Sequence, residues 1–253
     1  ILDQIVAKAE GVPLFVEELT KAVVESGLLR EEGARYELKG PLPPLAVPPT
    51  LHDSLMARLD RLRAAKEVAQ RAAALGREFS YALLLEVAEL DEPTLRHGLE
   101  RLVDAELLFQ TGTPPESTYT FKHALIQDAA YGSLLKRTRL RLHARIAEVL
   151  VERFQSHTAP EVVARHYDAA GMADEASTYY GLAGARAAAR SAHEEAIAHL
   201  RKGIDLLALL PESRERSARE ARMQVALGSS TMPVRGYAHT ELQAAYDRAR
   251  ILC

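Results

Sequence analysis

The sequence predicts a mainly α-helical chain in three parts: short helices, a helical domain closed by one small β-hairpin, and an array of paired helices. Alanine (42) and leucine (37), two of the strongest helix formers, supply 79 of the 253 residues. Tryptophan is absent, and phenylalanine and tyrosine total 14, which argues against a strand-rich sandwich or barrel. Proline recurs at Pro41, Pro43, Pro44, Pro48 and Pro49, a stiff stretch that separates the first part from the second.

Residues 1–48 read as two or three short helices and a Pro-rich linker. Gly11 ends the first helix, and Pro13 starts the second near its first turn, where a missing N–H costs little. Phe15, Leu19, Ala22, Val23 and Leu28 then recur at helical spacing. Residues 49–136 form the second part. Thr50 is a helix cap, with Asp53 three residues on, and Leu51, Leu55, Leu59 and Leu62 make one apolar stripe. Further helices are predicted over 64–75, stopped by Gly76, over 80–89, and over 92–107, opened by Asp91-Glu92-Pro93. Leu108-Phe109-Gln110, a Gly/Pro turn and Tyr119-Thr120-Phe121 then read as a hairpin. Helices followed by a hairpin is the element order of a winged-helix domain.

Residues 137–253 carry few strand signals. A long helix over 137–155 places Leu142, Ile146, Val149, Leu150 and Phe154 on one face. Gly171, Ala176, Tyr180 and Ala183 match the second half of a tetratricopeptide (TPR) repeat, and Ala196, Leu200 and Gly203 echo it. The offset of 20 residues falls short of the ~34-residue period of such repeats, so an irregular TPR-like α-solenoid is expected.

The net charge of −3 and pI near 6.3 supply no overall basic field for nucleic acid or anionic membrane. A lone cysteine, Cys253, excludes an internal disulfide framework and a multi-cysteine metal site. No apolar run reaches the ~18–20 residues of a membrane span. ILDQIVAKAEG does not read as a signal peptide, and both ends fall inside helical patterns. The chain is therefore expected to be a piece of a longer cytoplasmic protein.

KAEGVPLFVEEL, PPTLHDSLMARLDRL, AAALGREF, YTFKHALIQDAAYGSLL and RLRLHARIAEVL, in that order, resemble the C-terminal half of bacterial signal-transduction ATPases with numerous domains (STAND). In such proteins a cyclase-like or DNA-binding domain precedes the ATPase, and TPR repeats follow it. The resemblance implies that residues 1–48 are the end of the ATPase module, its helical lid. Gly11-Val12-Pro13 then matches the lid's GxP motif, whose proline packs on the adenine of bound nucleotide. The triplet by itself also makes an ordinary helix–turn–helix corner. His123 falls where relatives carry a Met-His-Asp motif whose histidine reaches nucleotide phosphate. An imidazole N–H can donate to a phosphate oxygen. Here the residues are Lys122-His123-Ala124, so the histidine stands without the aspartate, and a local helix-capping role is the alternative.

The resemblance implies ATP or ADP with Mg²⁺ for the whole protein but no cofactor held by this chain alone. GxxxxGK[ST] does not occur in it, and no strand aspartate for Mg²⁺ is apparent. No catalytic constellation is found, so the chain by itself is not expected to be an enzyme. Its implied partners are the upstream ATPase domain and a protein bound on the repeat surface. Regulation of an adenylate or guanylate cyclase, and a DNA-binding winged helix, are the alternatives. The last is disfavoured because the helix over 92–107 carries Glu92, Glu100, Asp104 and Glu106 against Arg96 and Arg101. Lys136, Arg137, Arg139, Arg141, His143 and Arg145 form a basic run, read as a solvated helix face. His193, Glu194, Glu195 and His199 lack the spacing of a zinc helix, and Tyr179 and Tyr180 read as repeat core.

Overall fold

A computed structural model describes residues 13, 15–17, 20–21, 29–32, 35–38, 50–156 and 158–253. Gly11 lies outside the described residues. The chain divides into two compact units, Ile1–Leu134 and Leu135–Cys253.

In the first unit, described residues from Pro13 to Lys21 are helical. The stretch beyond them departs from the expectation of helices alone. Strands β1 (Leu29–Glu32) and β2 (Arg35–Leu38) pair antiparallel, with Arg30 opposite Glu37 and Glu32 opposite Arg35.

All but one of the helices of the next stretch start where a side chain satisfies a free N–H, the exception being the helix that begins at Ala64. Thr50 caps α1 (Leu51–Arg61), its Oγ1 accepting from Asp53 N at 3.1 Å. Ser80 caps α3 (Tyr81–Val87), and Asp91 caps α4 (Glu92–Asp104), with Pro93 in its first turn. Between them, α2 (Ala64–Leu75) buries Ala65, Val68, Ala69, Ala72 and Ala73 and stops at Gly76, whose φ of 137° suits glycine. Alanines on α2 and Gly98 on α4 bring the two helices close. A Cβ at position 98 would lie 2.5 Å from Val68 Cγ2.

The hairpin forms as predicted, from β4 (Leu108–Thr111) and β5 (Thr118–Phe121). A third strand, β3 (Glu78–Ser80), was not predicted; the helix expected over 80–89 overlaps only its last residue. β3 completes an antiparallel sheet of order β3-β5-β4. The gain is aromatic packing: Phe79 stacks on Tyr119 at 5.8 Å and meets Phe121 at 5.9 Å. α5 (Ala124–Gly132) follows, and Leu59, Leu84, Leu95, Leu102, Phe121 and Ile126 lie in the core beneath. The helix expected over 92–107 is shorter than predicted. It ends at Asp104, and Glu106 turns the chain with φ 54°.

The second unit is helical throughout: α6 (Lys136–Arg153), α7 (Pro160–Ala169), α8 (Ala173–Ala189), α9 (His193–Leu207), α10 (Arg214–Arg235) and α11 (Thr240–Leu252). Each packs on the next in sequence. Glycines sit at the closest approaches. Gly184 faces Leu200, Gly203 faces Met223 and Gly228 faces Tyr246. No described helix is long and apolar enough to cross a membrane.

Candidate functional site

His123 is the N-cap of α5. Its Nδ1 accepts from Leu125 N at 3.2 Å, and its carbonyl accepts from Ile126 N at 3.0 Å. An Nδ1 that accepts leaves the proton of a neutral imidazole on Nε2. The cap thus fixes the tautomer and leaves Nε2–H as the ring's remaining donor. The ring is half-buried, and Nε2 has no partner among the described residues. The structure shows the capping role, and that role does not occupy Nε2, the atom a phosphate contact would use.

Pro13 is exposed on the helical segment that also carries Glu17 and Lys21. Four charges tie this segment to the sheet end of the unit. Lys122 Nζ, beside His123, donates to Glu17 Oε1 at 2.8 Å. Lys21 Nζ donates to the same oxygen at 2.9 Å and also to Glu106. Lys122 lies 3.6 Å from Glu106. Hydrogen bonds from Lys122 and then Lys21 hold the Glu17 carboxyl at about 2, far below its ordinary 4.5. Glu106 is also lowered, first by Lys21. Glu17 is one helical turn from Pro13, and Lys122 is the residue before His123, so the cluster joins the two predicted site residues through their neighbours. Sequence reasoning missed it. Glu17–Lys21 has ordinary i, i+4 spacing, but Glu106 and Lys122 reach them only through the turn after α4 and the end of β5.

The remaining candidates resolve differently. His143 does not belong to an exposed basic face. It is buried, and its Nδ1 lies 2.9 Å from Nδ1 of His166 on α7. A run of six basic residues on α6 must turn one residue inward, and histidine, which can be neutral, is the cheapest to bury. Tyr180 is buried against His199, and Tyr167 meets Tyr179 at 5.6 Å. Glu195 is engaged by Arg190 and His199. No group of three or more His, Cys, Asp or Glu among the described residues is placed to hold a metal ion.

No family model and no solved structure matches the chain. An uncharacterized protein of Rhizobium meliloti (strain 1021) is 27% identical over 242 residues, which cover 94% of this chain. The chain spans 23% of that protein's length.

Proposed function

We propose that this chain is the regulatory and protein-interaction segment of a larger, cytoplasmic signal-transduction ATPase of the STAND type. In this reading the segment around Pro13 is the end of the ATPase lid, residues 50–134 are a winged-helix domain, and α6–α11 are TPR-like helix pairs. A nucleotide bound by a P-loop domain outside this chain would meet Pro13 on its base and His123 Nε2–H on a phosphate. Exchange of that nucleotide would shift the lid and free the repeat surface for a protein partner.

The observation that carries the reading is the Glu17–Lys122 ion pair, which ties the Pro13 segment to the residue beside His123. A switch needs its two nucleotide-facing groups mechanically joined, and this cluster joins them with charges that solvent reaches and a modest shift can break. The size of the R. meliloti relative supports a chain that works inside a larger protein.

The test uses the protein together with its ATPase domain. His123→Ala should weaken ADP binding about tenfold by calorimetry, the scale of one hydrogen bond to a charged group. His123→Asn keeps a good helix cap but loses the reach of Nε2. It should therefore remain weak. Unchanged ADP affinity in His123→Ala, or full rescue by asparagine, removes the phosphate-sensing role.

A further inference from the structure

Basic side chains converge on a pocket of the first unit that shares no residue with Pro13 or His123. Its volume is about 340 Å³, and Arg61, Leu62, Arg63, His97 and Arg101 are among the residues that line it. Arg61 and Arg63 stand at the α1–α2 turn, while His97 and Arg101 lie one turn apart on α4 and share a face. Among the described residues, no aspartate or glutamate lines the pocket.

Two other arginines of this unit are matched by acids on their own helices. Arg71 pairs with Glu67 at 2.8 Å, and Arg96 pairs with Glu92 at 2.8 Å. At the pocket, Arg63, His97 and Arg101 make no side-chain hydrogen bond or ion pair among the described residues. Nearby acids do not neutralise them. Asp60 is taken by Lys66, and neither Glu100 nor Asp104 on α4 comes within ion-pair reach of His97 or Arg101. The guanidinium groups of Arg63 and Arg101, unmatched by any acid among the described residues, repel one another, and an anion that enters relieves the repulsion.

We propose that this pocket binds a phosphoryl polyanion, with Arg63 and Arg101 as guanidinium clamps and His97 as a further N–H donor. Guanidinium matches the oxygen spacing of phosphate with paired N–H bonds. The side chains, not the helix end, supply the site. At the start of α2, Ala65 N already donates to Leu62 O and Lys66 N to Arg63 O, at 3.1 and 3.0 Å. The several cations call for an anion of more than one charge, and the volume is at the small end of ligand sites, at roughly 300–1,000 Å³. Both suit a pyrophosphate-sized group better than a nucleic-acid backbone. A duplex presents phosphates in series across a surface, and the exposed Glu100 and Asp104 would repel the next ones.

Isothermal titration of inorganic pyrophosphate into the 253-residue chain tests this. One site per chain is expected, with orthophosphate binding more weakly. Arg63→Gln and Arg101→Gln, both at exposed positions, should each weaken pyrophosphate about tenfold with an unchanged melting curve. Arg186→Gln, an exposed arginine of the other unit, removes the same charge and should leave binding unchanged. No pyrophosphate binding, or equal weakening by Arg186→Gln, overturns the proposal. So does a duplex DNA that binds more tightly than pyrophosphate and loses that binding in Arg63→Gln and Arg101→Gln.

Discussion

His166 shows how one half-buried side chain makes stability depend on pH. Burial first, then His143 and Arg165, lowers its pKa from 6.5 to about 4, and burial and Arg139 lower His143 as well. Between them runs one Nδ1···Nδ1 hydrogen bond at 2.9 Å, which needs a proton on one ring and a lone pair on the other. The folded state therefore holds His166 neutral over a range where the unfolded chain is protonated. Its contribution is complete above 6.5 and is lost as pH falls toward 4, at a cost of about 3 kcal/mol. Denaturant midpoints of the second unit should fall across that window, and His166→Gln should flatten the fall. A midpoint independent of pH between those limits would show that the pair is not neutral in the folded chain. Glu220 on α10 makes the complementary case, a buried carboxylate held by Arg248 Nε at 2.6 Å and Nη2 at 3.2 Å. Arg248→Ala leaves that carboxylate only the longer contact with Arg216, at 4.0 Å, and should cost about 2–3 kcal/mol by chemical denaturation. Glu220→Gln together with Arg248→Ala should recover part of the loss, and a double mutant no better than the single one argues against the pair.

Helix caps are the elements that sequence and structure share most closely. Thr50 caps α1 from both directions, accepting from Asp53 N and donating to Asp53 Oδ2 at 2.6 Å. Thr50→Ala should cost about 1 kcal/mol, read as a lower melting temperature of the first unit, while Thr50→Ser should cost only a few tenths. Equal losses in the two would place the effect in the threonine methyl group instead of the cap. Asp91, Pro93 and Gly76 were legible for the same reason: each acts on its own few residues. β3 was not legible, because Glu78-Phe79-Ser80 becomes a strand only through β5, about forty residues on in sequence. The β1–β2 pair was obscured differently. Its signal is a two-residue break between short charged stretches, weaker than the leucine periodicity around it. At the candidate site, the sequence singled out His123 and Pro13 one by one, and of His123 its local capping role was legible. The Glu17–Lys122 contact was not, since no periodic pattern links residues 105 positions apart.

At the scale of the molecule, the two units have separate hydrophobic cores, so a defect in one should be felt within it. Two glycines allow a matched test. A Cβ at Gly98 would lie 2.5 Å from Val68 Cγ2, and one at Gly184 would lie 2.6 Å from Leu200 Cγ. Neither neighbour can give way easily. Val68 is fully buried with a stiff, branched side chain in a helix, and Leu200 is 1% exposed. Alanine gains about 1 kcal/mol over glycine in a helix interior, but overpacking costs about 1–3 kcal/mol, so overpacking wins at these contacts. Gly184→Ala should therefore destabilise the second unit by about 1–2 kcal/mol. Amide hydrogen exchange should quicken at Ile197, Leu200 and Leu207, with the protection of Val68, Leu99 and Leu102 unchanged. Gly98→Ala should give the mirror-image pattern. Were either substitution to lower protection in both cores together, the chain would unfold as one cooperative body, and a change at the Pro13 segment would then reach the second unit through folding stability itself.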